Sequence, residues 1–340
     1  MEQPGNMAQQ YYEQALAHYN RGELEAAITS LRAAIKQRQG RFPKAYFFLG
    51  KALADAGDWE QAVAAFKTAI EQQEHHPDAY YHLGLALARR GDVDAAVAAY
   101  EKAIEQQSGN NPGAYHNLGL ALFSKGDLDR AVKAYREAIA QRGGVFPRAY
   151  FNLGFALAHK GEIDQAIVAY RKAIEQSSGN CPDIFFQLGW LLMGKGDLDN
   201  AIEAFGTAIE QRAGDYPEAQ YEQGRALLAR GRLEEAITVF TAAIKAEPNN
   251  PNAFFNLGRA YLRTGEIDRA IAVLETAIRQ QGGTFPSAYH NLALALAQKG
   301  ELERAIETCR IAVKQNSFFP KAYYDLGRLL ATRGEGAAAI

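Results

Sequence analysis

The sequence predicts an all-α solenoid of stacked helix pairs, and three observations lead there. Glycines recur at Gly22, Gly57, Gly91, Gly126, Gly161, Gly196, Gly231, Gly265, Gly300 and Gly334, spaced 34 or 35 residues apart. A second series of breakers, Pro43, Pro77, Pro112, Pro147, Pro182, Pro217, Pro251, Pro286 and Pro320, keeps step with them, so each period holds two segments. Between breakers, apolar residues return at helical spacing. For 340 residues, length alone suggests about two domains. A sustained internal period replaces that expectation with one array over 1–340.

In chain order, repeats start near Ala8, Pro43, Pro77, Pro112, Pro147, Pro182, Pro217, Pro251, Pro286 and Pro320, the last being incomplete. In the repeat at Pro43, Ala45, Tyr46, Leu49, Gly50 and Leu53 make the apolar face of a first helix, and Gly57 supplies the turn. Acidic residues follow the turn, Asp58 and Glu60 here, Asp127 and Asp129 or Asp197 and Asp199 later. Negative charge is favoured at a helix N-terminus. Ala62, Phe66, Ala69 and Ile70 then form the second helix, and small Gly50 and Ala62 let the two helices approach closely.

The pattern PxAYxxLGxALxxxGdxxxAxxxYxxAI resembles the tetratricopeptide repeat over essentially the whole chain. The resemblance implies a right-handed superhelical solenoid whose first helices line a concave groove that binds other proteins. Several repeats carry 35 residues, the extra one falling in connections such as QRGGVFP or QQSGNNP, and only Pro248 stands at the family's usual place at the end of a second helix. Pentatricopeptide arrays, which bind single-stranded RNA, have a similar period. The Leu-Gly and Ala-Tyr signature opposes that reading, and so does the charge.

Lys and Arg (37) nearly balance Asp and Glu (39), a net charge of -2, which lacks the electrostatic footprint of a nucleic-acid backbone binder. Cys181 and Cys309 are too few for a disulfide framework and have no metal-ligand spacing, which favours a reducing compartment. The N-terminus shows no basic stretch followed by an apolar core, so a cytoplasmic protein is expected. The most apolar window, residues 184–193, falls far short of the roughly 20 residues of a bilayer helix. Gln14 stands where later repeats have Leu49, Leu83 or Leu118, as expected of a polar outer face on a terminal repeat. At the other end Ala337 to Ile340 stop within an expected second helix, leaving the face of Tyr323, Leu326 and Leu330 open. A longer protein or self-association through that face would cover it.

The inward positions implied by the resemblance lie four, five, eight and eleven residues beyond each proline. The first carries Phe47, Tyr81, His116, Phe151, Phe186, Tyr221, Phe255, His290 and Tyr324, a stripe that suits packing or ligand contact. In mid-chain, Phe123, Phe151, Phe155, Phe186, Trp190 and Met193 are expected to form an apolar binding cluster. Asn117, Asn152, Gln187, Asn256 and Asn291 at the second position are similar to the asparagine ladder in the tetratricopeptide region of O-linked N-acetylglucosamine transferase. There such amides hold a peptide backbone; pairing between neighbouring helices is the other use for them. The third position changes from Leu85, Leu120, Phe155 and Trp190 to Arg225, Arg259 and Arg328, giving an apolar half and a basic half.

The expected function is that of a scaffold or adaptor binding an extended or helical peptide with apolar, aromatic and acidic residues. A noncatalytic substrate-recognition arm of a larger enzyme such as a glycosyltransferase, or a homo-oligomeric scaffold, is the alternative. No phosphate-binding glycine loop, HExxH or nucleophile elbow occurs, so no catalysis is expected. The pair His75-His76 lacks further ligands at metal-binding spacing, so neither metal nor cofactor is expected. The carboxylate clamp for chaperone tails needs inward Lys and Asn in consecutive repeats, and that set is missing. Repeats of this kind serve unrelated partners, so the motif does not encode the partner's identity.

Overall fold

The computed structural model of the chain describes residues 4–334. The described residues form nineteen α-helices. They fall into two compact units, one through Ser178 and one from Gly179. The first unit holds α1 (Pro4–Asn20), α2 (Leu24–Gln37), α3 (Pro43–Asp55), α4 (Trp59–Gln72), α5 (Pro77–Arg90), α6 (Val93–Gln106), α7 (Pro112–Ser124), α8 (Leu128–Gln141), α9 (Pro147–His159) and α10 (Ile163–Gln176). The second holds α11 (Pro182–Gly194), α12 (Leu198–Gln211), α13 (Pro217–Arg230), α14 (Leu233–Ala246), α15 (Pro251–Thr264), α16 (Ile267–Gln280), α17 (Pro286–Lys299), α18 (Leu302–Gln315) and α19 (Pro320–Arg333). Within each unit every helix packs on the next, and from α1 to α9 and from α11 to α17 each first helix also touches the first helix of the following pair. The fold is an all-α repeat solenoid. The segment expected to begin a further second helix, from Ala337 to Ile340, lies outside the described residues.

From α3 onward each first helix opens with its proline, where the missing N–H is one that a helix leaves unbonded anyway. The turn glycines end the first helices in the left-handed conformation, as at Gly126 with φ +80°. There Gly126 N–H donates to Phe123 O at 2.9 Å and Asp127 N–H to Leu122 O at 3.0 Å, satisfying carbonyls at the helix end. Asp127 then caps α8 by accepting from Arg130 N–H at 3.2 Å, and Asp58 caps α4 in the same way.

A single contact recurs at the heart of each pair. The glycine seven residues beyond the proline faces a large buried side chain of the second helix, and a Cβ there would stand 2.6 Å from the ring of Phe66 at Gly50, 2.6 Å from Tyr100 at Gly84 and 2.5 Å from Tyr135 at Gly119. Gly154, Gly189 and Gly224 meet Tyr170, Phe205 and Phe240 likewise. In two repeats an alanine takes the glycine's place against a smaller partner, fully buried Ala15 in the repeat of Leu31 and Ala293 in that of Cys309, while Gly258 keeps the glycine against Leu274, where a Cβ would stand 2.6 Å from Cγ. Packing at native density links the two positions, since the interior has no slack for an added methyl.

A second recurring tie joins neighbouring pairs. A glutamine ends most second helices and donates to a loop carbonyl of the preceding repeat: Gln72 to Gly40 O, Gln141 to Gly109 O and Gln176 to Gly144 O, all at 2.6 Å, and Gln280 to Pro248 O at 2.7 Å. Gln106, Gln176 and Gln211 also accept from the backbone N–H of His76, Phe146 and Cys181, the residues just before the prolines. The 35-residue repeats house their extra residue in these loops, where Gln39, Ser108, Ser178 and Ala213 adopt positive φ before a positive-φ glycine.

Candidate functional site

The aromatic stripe is largely a packing feature. Most of its rings lie against the buried side chain of their own second helix: Phe47 on Phe66 at 6.0 Å, His116 on Tyr135 at 6.0 Å, Phe151 on Tyr170 at 5.9 Å, Phe186 on Phe205 at 5.8 Å and Tyr221 on Phe240 at 6.2 Å, while Tyr324 is exposed. Several touch the residue before the next proline as well, as Phe186 does Tyr216 and Phe255 does Phe285. Phe151 and Phe186 are therefore half-buried. They support the inner face more than they project from it.

The amides are engaged within each unit. Asn117 donates to the Tyr81 hydroxyl at 3.0 Å, Asn152 lies 2.9 Å from His116 Nε2, and Asn256 donates to the Tyr221 hydroxyl at 3.3 Å and to Asn252 O at 3.0 Å. Asn291 donates to Ser287 O at 2.8 Å, while Gln187 is half-buried on α11. Burial holds the His116 imidazole below its ordinary pKa, so near neutral pH it is uncharged and can accept from Asn152. The contacts of Asn117, Asn152 and Asn256 with Tyr81, His116 and Tyr221 couple adjacent repeats, whereas Asn291 bonds only its own helix.

In the first unit, Phe123, Phe155 and His159 form a ring cluster with centroids 4.7 to 5.4 Å apart, and Phe151 stacks on Phe155 at 6.4 Å. Exposed Leu120, with Leu85, Arg89, Asn117 and Ser124, lines a cavity of about 350 Å³. On α5 of this unit His82 is packed beside Phe47 and stacked on Phe66. Burial, aided by the Lys51 ammonium, pushes its imidazole down to about 4.

The second unit carries the feature richest in recognition chemistry. A cavity of about 500 Å³ is lined by Trp190, Met193, Gly194, Leu198, Leu228, Ala229, Asn256 and three arginines, Arg225, Arg259 and Arg263. Trp190 is 53% exposed, unusual for so large an apolar ring, and forms one wall. Arg225 meets both carboxylate oxygens of Glu222 at 2.8 and 3.0 Å. Arg259 donates to Asn256 Oδ1 at 3.0 Å, and Arg263 to Leu228 O at 2.6 Å. The guanidiniums of Arg225 and Arg259 also lie 5.8 Å from the rings of Tyr221 and Phe255. Arg328, the third arginine of the predicted basic half, pairs with Asp325 on α19 instead of lining this cavity.

Sequence reasoning placed Trp190, Met193, Asn256, Arg225 and Arg259 among candidate residues, and the fold brings these five around one cavity. It placed Arg263 only near the basic half and not among the site residues, although Arg263 stands four residues after Arg259 and so shares its helical face. It also missed that Glu222, three residues before Arg225, neutralises that arginine. Phe123, Phe151, Phe155, Asn117 and Asn152 belong to the first unit, while Phe186, Gln187 and Asn291 lie elsewhere in the second. Among the described residues, no group of three His, Cys, Asp or Glu side chains could hold a metal ion, and no helix is long and apolar enough to cross a membrane. Cys309 is buried, and its thiol is pushed up to about 11 by desolvation and then by Asp325, so it is unreactive.

Helix pairs of this length, locked by a small residue against a large one and presenting polar and aromatic side chains on their first helices, define a repeat protein of the helix-turn-helix solenoid class. The chain belongs to the tetratricopeptide repeat family, whose models match residues 12–60, 48–112, 116–180, 186–251 and 291–340, with a further model over 227–296. Among solved structures, the C-terminal part of a tetratricopeptide repeat protein from Cytophaga hutchinsonii, 18% identical, matches 71% of this chain and 97% of its own with a TM-score of 0.60. YrrB, described as a TPR protein with an unusual peptide-binding site, is 25% identical over 56% of this chain and 96% of its own, with a TM-score of 0.50. A MamA protein is 29% identical over 51% of this chain and 93% of its own, with a TM-score of 0.48. No curated protein matches the chain significantly.

Proposed function

We propose that the chain is a noncatalytic binding protein that holds a peptide segment of a partner protein against the face lined by its first helices. The observation that carries this reading is the cavity of the second unit, where an exposed indole stands beside three arginines. Exposed Trp and Arg around a concave site are the residue types that dominate binding energy at protein interfaces. The peptide-binding site named for YrrB supports the same role here. In the first unit, the surface around Phe123, Phe155 and Leu120 offers a second, apolar stretch for such a segment.

The test is affinity capture from lysate of the source cells with three baits: the wild-type chain, a W190A/R259A variant, and a K133A variant altered on α8 away from this face. Proteins retained by the first and third baits and lost from the second, and then shown to bind directly as purified proteins, support the reading. Equal retention by all three refutes it for this cavity.

A further inference from the structure

We propose that the cavity of the second unit reads an acidic residue placed beside an aromatic one, the carboxylate on Arg259 and Arg263 and the ring on Trp190 and Met193. The inference rests on the binding role proposed above and gives that site its ligand chemistry. The three arginines are not equivalent. Arg225 is paired with both oxygens of Glu222, so its charge is largely met from within α13. Arg259 and Arg263 are held instead by uncharged acceptors, Asn256 Oδ1 and Leu228 O. Those bonds fix where each guanidinium stands without cancelling its charge, and each engages only part of a five-donor fork.

An anion entering the cavity therefore meets two pre-positioned cations, one on each side of the helical turn from Arg259 to Arg263. The remaining wall, Trp190, Met193, Leu198 and Leu228, is apolar and takes the ring. The single charge and two oxygens of a carboxylate match the two guanidiniums that remain uncompensated. With only two uncompensated cations the site also lacks the extended positive track of a nucleic-acid binder.

The test measures binding of short fluorescent peptides, blocked at both termini, to the full chain by anisotropy. One carries a Phe flanked by Glu residues; the others replace Glu with Gln, Glu with Lys, Phe with Ser, or Glu with phosphoserine. The Glu and Phe peptide is expected to bind most tightly, and to weaken as salt rises. R259A and R263A should each raise its Kd roughly tenfold, the loss of one charge-assisted contact, and W190A should do the same. E222Q should lower the Kd by freeing Arg225, and R259E should shift preference to the Lys peptide. Gln and Glu peptides binding alike, tighter binding of the phosphoserine peptide, or a Kd unmoved in the R259A/R263A double variant overturns the acidic assignment and leaves the binding role standing. No binding by any of the peptides overturns both.

Discussion

Adding one methyl group to Gly119 tests the packing rule that holds each repeat together. The Cβ of G119A would lie 2.5 Å from Tyr135 Cε1 and 2.7 Å from Cδ1. Carbon atoms normally rest about 3.5 to 4.0 Å apart, so the clash is about 1 Å deep. Tyr135 is 1% exposed and α7 packs on both α6 and α8, so neither ring nor helix has room to withdraw. Overpacking a tight core costs about 1 to 3 kcal/mol, and the depth here argues for the upper end. Alanine returns about 1 kcal/mol through helix propensity, which leaves a net loss of about 2 kcal/mol. The partner change follows from the chain itself, because Ala15 coexists with Leu31 in the first repeat. Y135L alone should leave a cavity and also destabilise, whereas G119A/Y135L should be more stable than the sum of the two losses by about 1 to 2 kcal/mol. Urea unfolding followed by far-UV circular dichroism gives the global midpoint. Amide exchange in α7 and α8 gives the local stability, which is needed because repeat arrays can unfold in parts. A neutral or stabilising G119A, or strict additivity in the double variant, would refute the packing argument.

Three further outcomes are expected. His82 has its pKa depressed to about 4 in the folded chain, against 6.5 as its ordinary value, so the unfolded chain binds the proton first. Its contribution is whole above pH 6.5 and is lost as pH falls toward 4, at up to about 1.4 kcal/mol per pH unit; urea midpoints at pH 7 and pH 5 should fall further apart for wild type than for H82F. Q176A removes both the bond to Gly144 O and the acceptor for Phe146 N–H, which should destabilise the adjoining loop by about 1 to 3 kcal/mol and speed amide exchange at Phe146. A213G should raise the melting temperature slightly, because Ala213 holds φ +53°, a conformation costing roughly 1 to 2 kcal/mol outside glycine, while the entropy of a new glycine offsets roughly 0.5 to 1; an unchanged or lowered melting temperature counts against strain at that loop.

The candidate site was only partly legible in the sequence. Trp190, Arg225 and Arg259 stood out because they replace the apolar or aliphatic residues found at the same place in other repeats, which a period makes visible. What each does was hidden. The amides at Asn117, Asn152 and Asn256 look alike in sequence, yet their donors point at Tyr81, His116 and Tyr221, and only three-dimensional proximity assigns those partners. The glutamine ties show the same limit: the recurring Gln at the ends of second helices could be seen, but bonds to loops 32 residues earlier could not be inferred from helical spacing.

By itself the sequence determined the helices, their order and their turns, because these depend on local chemistry: proline at a helix start, glycine in the left-handed turn, apolar residues on one face. It also carried the trace of the packing rule, in the pairing of Gly with Phe or Tyr in six repeats and of Ala with Leu or Cys in two, with Gly258 against Leu274 standing outside it. Tertiary structure decided how the three arginines gather around one cavity and where Arg263 is held, whereas the Glu222–Arg225 and Asn256–Arg259 pairs are three residues apart on single helices. Arg225, Arg259 and Arg263 are chemically identical, and the difference between a neutralised cation and a poised one is whether a carboxylate or a carbonyl lies within 3 Å of it. The Arg263 bond joins residues 35 apart in sequence and is set by how α13 and α15 pack, which sequence spacing does not fix.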